Sequence, residues 1–331
     1  MILVTGANGL LGSYICNTLD KAGISFKGMV RKTSDLRLLK DIASDKIIEG
    51  DLFDVIGLEM LLLEINTVIH CAGFVSFHDK DKEALFKTNV EGTKNLVNAC
   101  LASNTYNFIH VSSIAAIGRN KKNTIVKENT KWENSSLNTK YAKSKYLGEL
   151  EVWRAGSEGL NVKIINPSVI LAPYGWERSS TKLLNFVKRE FPFYPSGNIN
   201  YVDIRDVGEI IMKLVDNEIK GERFIVNAGS LSYKKLFKQV AIKLNKRPPF
   251  IRLNLPLAWI GWVFENLRGI LAGKSTLVTR ETTRLSFTKS RYDNGKSYEI
   301  LNHKYRSLED SLNWVCGVAN KKEDFISEPD I

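Results

Sequence analysis

The sequence predicts an α/β chain with a Rossmann-type, doubly wound parallel sheet and a smaller C-terminal substrate-binding lobe. Three observations lead there. Short apolar runs alternate with helical patterns through the first half, a glycine-rich turn joins the first run to the first helix, and the rhythm breaks after Pro173. The chain has 331 residues, enough to bury a sizeable core without covalent staples.

The elements follow in order. Met1 to Val4 reads as the first strand, and Leu11, Ile15, Leu19 and Ala22 then fall at helical spacing until Gly23 stops the helix. Ile24 to Val30, Lys46 to Asp51, and Thr67 to Ala72 read as the second, third and fourth strands. A helix is expected over Glu83 to Ser103, a fifth strand over Asn107 to Ser112, a helix over Lys140 to Gly156, and a sixth strand over Val162 to Ile165. The nucleotide-binding unit is placed at 1–172 and the second lobe at 173–320, with part of 200–230, notably the apolar run Phe224 to Asn227, returning to the sheet. Residues 321–331 read as a polar, frayed tail.

Composition narrows the classes of function. The 47 basic and 36 acidic residues leave a net charge of +11, which favours anionic partners and says nothing about fold. The basic residues are dispersed and no recognition motif accompanies them, so nucleic acid is read against. Cys16, Cys71, Cys100 and Cys316 lie far apart without metal-ligand spacing; reduced thiols and no metal site are expected. The chain opens on an apolar run instead of a charged leader, so a cytoplasmic protein is expected.

Gly6-x-x-Gly9-x-x-Gly12 sits between the first strand and the first helix. Glycine there lets the backbone turn tightly and approach a pyrophosphate, with helix amides facing the phosphates. Val30 is followed by Arg31 and Lys32, where an NAD-binding unit would offer a carboxylate to the ribose. A guanidinium there can fork onto a 2′-phosphate, which favours NADP over NAD. Tyr141 and Lys145 stand four residues apart on a helix, which stacks phenol and ammonium on one face. The cation is expected to lower the phenol's pKa and ready it for proton transfer. Tyr292 and Lys296 share the spacing but fall in the late lobe.

These motifs, in this order, resemble the extended branch of the short-chain dehydrogenase/reductase superfamily, the NAD-dependent epimerase/dehydratase family. The resemblance runs from residue 1 to about 315, with Tyr201-Val202-Asp203-Ile204-Arg205-Asp206-Val207 similar to a later signature joining the two lobes. Val30-Arg31, Phe74-Val75-Ser76-Phe77 and Asn166-Pro167-Ser168 look most like the dihydroflavonol reductase and 3β-hydroxysteroid dehydrogenase-like group.

The resemblance implies a catalytic set of Ser113, Tyr141 and Lys145, with Ser112 as rival to Ser113, and with Asn89 either supporting a proton relay to the lysine or merely bonding backbone. Cofactor contacts are implied for Gly6, Asn8, Gly9, Leu10, Leu11, Gly12, Arg31, Asp51, Leu52, Cys71, Ala72, Gly73, Val111, Tyr141, Lys145, Pro167 and Val169. Asp51 has a helix N-cap as its alternative, and Cys71 reads as a small filler and not as a nucleophile. Asn166 stands where the family usually has arginine.

The implied reaction is NADP(H)-dependent reduction of a ketone or aldehyde to an alcohol, or the reverse. An NAD-dependent sugar-nucleotide epimerase or dehydratase, and a non-catalytic NADP-sensing protein, remain as alternatives. The substrate is read as a small, apolar or aromatic carbonyl or alcohol compound. Phe74, Phe77, Tyr174, Trp176, Phe186 and Phe193 are candidate pocket walls, and Arg178, Lys182 and Lys188 candidate anion contacts. The apolar stretch 256–271 is read as pocket wall or subunit contact, with a membrane-interface role as the alternative. A homodimer through the helices holding Asn89 and Tyr141 stays open.

Overall fold

The computed structural model describes residues 1–103, 105–119, 125–174, 182–254 and 279–321. Runs such as Ile2-Leu3-Val4-Thr5 have no polar alternation, so a strand made of them needs cover on both faces. The structure supplies it with a seven-stranded sheet: β1 (Ile2–Thr5), β2 (Phe26–Val30), β3 (Ile47–Glu49), β4 (Thr67–His70), β5 (Asn107–Val111), β6 (Asn161–Pro167) and β7 (Glu222–Val226). The spatial order is β3-β2-β1-β4-β5-β6-β7, and every adjacent pair is parallel. This is the doubly wound fold read from the sequence. The apolar run after residue 220 does come back to the sheet: β7 pairs with β6 from Glu222 opposite Lys163 to Val226 opposite Pro167.

Two cores cover the faces. Helix α1 (Leu10–Lys21) and the helix Ile204–Val215 bury Leu11, Ile15, Leu19, Val207 and Ile211 on one side. On the other side α2 (Val55–Leu62), α4 (Thr93–Ala102) and α5 (Lys140–Ser157) bury Leu58, Leu96 and Val152. Lys163 has no solvent exposure and lies on the face covered by α1 and the helix Ile204–Val215. Its ammonium donates to the carbonyls of Leu214 (2.7 Å) and Asn217, closing the negative end of the helix Ile204–Val215.

The helix expected over Glu83 to Ser103 is interrupted. After α3 (Lys82–Phe86) the backbone widens into a π-helical turn, Lys87–Gly92, before α4 begins. Gly148 of α5 packs against that turn so closely that a Cβ there would lie 2.3 Å from the Asn89 carbonyl oxygen. The sequence-derived boundaries of β2 and β3 are also trimmed, to Phe26–Val30 and Ile47–Glu49.

A second, three-stranded sheet carries the other lobe: Asn198–Asp203 runs parallel to Val169–Leu171 and antiparallel to Gly229–Ser232. Its core holds Leu171, Leu184, Tyr201, Phe237 and Leu312. Asp206, Glu209 and His303 lie close enough together to hold a cation. The Arg306 guanidinium fills that position and bonds both carboxylates, tying the late chain to the helix Ile204–Val215. Among the described residues no helix is long and apolar enough to cross a membrane. The stretch 256–271 and the tail beyond 321 lie outside the described residues.

Gly148→Ala is expected to lower stability by roughly 1–3 kcal/mol through overpacking against Asn89. Urea denaturation checks this; an unchanged midpoint would count against the close-packing account.

Candidate active site

Parallel strands place all their carboxyl ends on one edge, and that is where most of the predicted residues meet. Gly6 follows β1, Arg31 follows β2, Cys71, Ala72 and Gly73 follow β4, Ser112 and Ser113 follow β5, and Pro167 ends β6. The edge begins with the glycine turn. A Cβ on Gly12 would stand 2.2 Å from the Gly6 carbonyl oxygen, so the loop can close onto α1 only with glycine there. Gly9 is the N-cap of α1, no side chain caps it, and the first turn carries no acidic residue. Uncapped amides at the positive end of a helix of 12 residues suit a phosphate. A dinucleotide therefore fits this loop on the chain's own geometry.

Arg31 is exposed at the end of β2, and its backbone N–H donates to Ser34 Oγ at 3.0 Å. Asp51 Oδ1 accepts from the Phe53 amide at 3.0 Å and so shapes a turn; the N-cap of α2 is Asp54. Leu52 is buried behind it. Asn8 and Leu10 are half-buried in the glycine loop and Leu11 is buried. Val169 stands apart from this edge, in the three-stranded sheet opposite Tyr201. All four cysteines are free, and burial raises the Cys71 thiol far above its ordinary pKa, which disfavours the nucleophilic thiolate.

Helix α5 brings the reactive groups. Thr139 caps it by accepting from the Ala142 amide at 3.0 Å, so Tyr141 lies in the first turn and Lys145 one turn further on. Ser113 is the neighbour that most favours the charged form of the Tyr141 phenol, and the phenol ring packs edge-on against Phe77, with ring centres 5.7 Å apart. Ser113 also caps the short helix Ile114–Ile117, accepting from the Ala115 amide at 3.2 Å. The rival Ser112 has a buried hydroxyl without a partner among the described residues. Lys145 Nζ donates to the Val111 carbonyl at 2.9 Å, locking α5 to the end of β5.

One expectation is corrected. Tyr141's pKa is raised above that of an ordinary phenol, because burial disfavours the phenolate more than its partners favour it. The groups that oppose the rise are Ser113 and then Arg119, and Lys145 is not among them. Lys145 is itself buried, which holds its pKa down at about 8, while Glu149 and Cys71 act in the opposite sense. Asn89 makes three hydrogen bonds. Its oxygen accepts from the Phe74 amide (2.8 Å), and its nitrogen donates to the Phe74 carbonyl and to Ser144 Oγ (2.9 Å each). It therefore shapes the Phe74 loop beside Lys145 and does not bond the ammonium.

The other Tyr-x-x-x-Lys pair is separated by its partners: Lys296 pairs with Glu222, and Tyr292 accepts from Arg119 Nε at 3.0 Å. Of the candidate pocket aromatics, Phe77 touches Tyr141. Tyr174 lies in the core beside α1, Phe186 stacks between Phe191 and Phe237, and Phe193 is exposed. Lys188 is exposed; Trp176, Arg178 and the Lys182 side chain lie outside the described residues. Sequence reasoning missed Glu149, Arg223 and Arg119. Glu149 continues the four-residue step of Tyr141 and Lys145 and was within reach of inspection, whereas Arg223 is brought in only by the sheet topology.

A parallel sheet with a phosphate-suited loop, and a Ser-Tyr-Lys group at the same edge, defines a nicotinamide-dinucleotide enzyme of the oxidoreductase type. The comparisons place it more narrowly. The model of the NAD dependent epimerase/dehydratase family matches residues 2–229. Over 317 residues the chain is 27% identical to the putative dihydroflavonol 4-reductase of Synechocystis sp., covering 93% of this chain and 91% of that relative. Sterol demethylase protein B of Methylococcus capsulatus is 31% identical over 228 residues, 68% of each chain. The crystal structure of gox2253 superposes with a TM-score of 0.81 at 27% identity, with 97% of each chain covered. UDP-glucuronic acid 4-epimerase from Bacillus cereus, in complex with NAD, shares the fold with a TM-score of 0.74 at 18% identity, over 97% of this chain and 98% of that one. The chain belongs to the NAD-dependent epimerase/dehydratase family, within the extended short-chain dehydrogenase/reductases.

The depressed Lys145 pKa has a consequence for stability. The folded value of about 8 lies below the ~10.4 of an unfolded lysine, so between these the unfolded chain binds more protons and stability rises with pH. Wild type measured against Lys145→Met is expected to gain stability from pH 8 to pH 10. Chemical denaturation at several pH values checks it, and a flat difference would contradict the buried-ammonium assignment.

Proposed function

We propose that the protein is an NADP(H)-dependent carbonyl reductase, running in either direction between a ketone or aldehyde and its alcohol. The observation that carries this reading is the meeting of three groups at the sheet edge: Ser113 follows β5, Lys145 Nζ bonds the Val111 carbonyl at the end of that strand, and Tyr141 stands one helical turn before Lys145 with Ser113 as a neighbour of its phenol. A bound nicotinamide dinucleotide would supply or accept the hydride.

The chain's own residues do the rest. Tyr141 gives its phenolic proton to the substrate oxygen, or takes it back in the oxidative direction. A phenol whose pKa is raised by burial keeps its proton at neutral pH, which suits the reductive direction. Ser113 donates to the same oxygen and stabilises the charge that grows on it. Lys145, anchored on Val111, presents an ammonium toward the cofactor ribose. Asn89 and Phe74 hold the loop that carries Phe77 against the phenol, and this favours an apolar or aromatic substrate.

Arg31 supports NADP over NAD. It is exposed at the end of β2, and it and Lys32 occupy the positions directly after the strand where an NAD-binding unit would offer a carboxylate. The relatives named as dihydroflavonol 4-reductase and cinnamoyl-CoA reductase favour carbonyl reduction. The NAD-bound epimerase neighbour shares only the fold and gives the second reading, an NAD-dependent epimerase.

Tyr141→Phe is expected to cut reductive kcat by roughly 10²–10⁴ while leaving NADPH binding intact. A spectrophotometric screen of NADPH oxidation over ketones, aldehydes, flavonoids, steroids and sugar nucleotides provides the substrate, and full activity of the variant on it would remove Tyr141 from the chemistry. Fluorescence titration is expected to give tighter binding of NADPH than of NADH, and Arg31→Asp to reverse the order. A preference for NADH in the unmodified protein would favour the epimerase reading.

A further inference from the structure

One buried polar chain is left over from this account, and it ends on the backbone of Ser113. Glu149 has no solvent exposure, and its two oxygens are used separately. Oε2 accepts from Arg223 Nη2 at 2.6 Å, and Oε1 accepts from Asn166 Nδ2 at 2.6 Å. The same Asn166 nitrogen donates to the Ser113 carbonyl at 2.8 Å. Both partners of Asn166 are acceptors, so its nitrogen must face them, and its own oxygen is left buried without a partner among the described residues. Arg223 reaches in from β7, donating also to the Glu128 carbonyl at 3.3 Å and lying over the Trp153 ring. The segment after β5, strands β6 and β7, and α5 are thus connected through one carboxylate.

A buried ion pair of this kind is weak evidence for stability, since hydrophobic residues of similar volume commonly serve as well. Its placement points to another use. Glu149 is one turn beyond Lys145 on the same face of α5, and Asn166 holds the backbone of Ser113, which neighbours the Tyr141 phenol.

We propose that Glu149 is a positioning residue for the Ser-Tyr-Lys group, fixing the Ser113 backbone through Asn166 and supplying the negative charge that faces the Lys145 ammonium, with Arg223 setting how much of that charge Lys145 feels. The other titratable groups around Lys145 are Tyr141 on its own helix, Cys71 after β4, and the stacked His70 and His110 on β4 and β5. Burial keeps both histidines neutral and the thiol protonated, so Glu149 is the charged partner in this group. Around Glu149 itself stands Arg223, which Glu128 also contacts.

The turnover arm of the test rests on the reductase reading, so a second arm reads Lys145 directly. In the full chain, the apparent pKa of Lys145 is measured by pH-dependent amine labelling and mass spectrometry, beside the pH profile of kcat/KM for NADPH-dependent reduction. Glu149→Gln is expected to move both the labelling midpoint and the alkaline limb of the profile down by about one pH unit. Arg223→Met removes the competing cation from the carboxylate and is expected to move both upward. Asn166→Ala keeps both charges and is expected to lower kcat by roughly tenfold or more with the profile in place. Equal losses of activity with an unmoved midpoint and profile in both charge variants would reduce the chain to a structural brace and overturn the proposal. If no carbonyl is turned over by wild type, the reductase reading fails, and the opposite shifts in labelling still decide the role of Glu149. Should Glu149→Gln not fold, the upward shift in Arg223→Met carries the test, and its absence overturns the proposal.

Discussion

An ammonium group with almost no access to water must be given partners, and the site is arranged around that requirement. Lys145 is 5% exposed, and its Nζ finds the Val111 carbonyl at the end of β5. That single bond fixes how α5 lies across the sheet edge. Once α5 is placed, Tyr141 must stand beside Ser113, and Gly148 must meet the π-helical turn that holds Asn89. Glu149 one turn further along α5 faces this charge, and Asn166 links Glu149 to the Ser113 backbone.

The fold was legible in the sequence because its strongest signals are local. An apolar run, a glycine turn and a helical period within the first 23 residues define the opening βα unit, and the same rhythm repeats through β6. The returning strand was legible for the same reason, as an apolar run in a stretch otherwise basic. The gathering of Gly6, Cys71, Ser113 and Pro167 then follows from parallel strands alone.

What was not legible depends on pairs far apart in the chain. The π-helical turn cannot be read from Lys87 to Gly92, because it is shaped against Gly148 more than fifty positions later. Tyr141 was expected to be acidified by its lysine neighbour; spacing gives the shared helix face, but only the folded packing shows that burial dominates and that Lys145 turns to Val111. Asn166 looked like a departure from a pattern, and its meaning appears only when Glu149 and Arg223 arrive from α5 and β7. Tyr174 looked like a pocket wall and is core, since apolar surface alone does not tell which side of a sheet a residue will face.

The widened turn between α3 and α4 has one more implication. Each residue in an α-helix advances the chain by about 100° around the axis, so a single inserted position rotates everything on one side relative to the other. Here α3 and α4 are each set for their own neighbours, and the accommodation between them falls on the residue whose amide ties down the Phe74 loop. Shortening the chain by one residue in that turn would restore a regular spiral and swing Asn89 off its loop while leaving the strands and the glycine turn untouched. The register of one helix is thereby part of the active site's geometry.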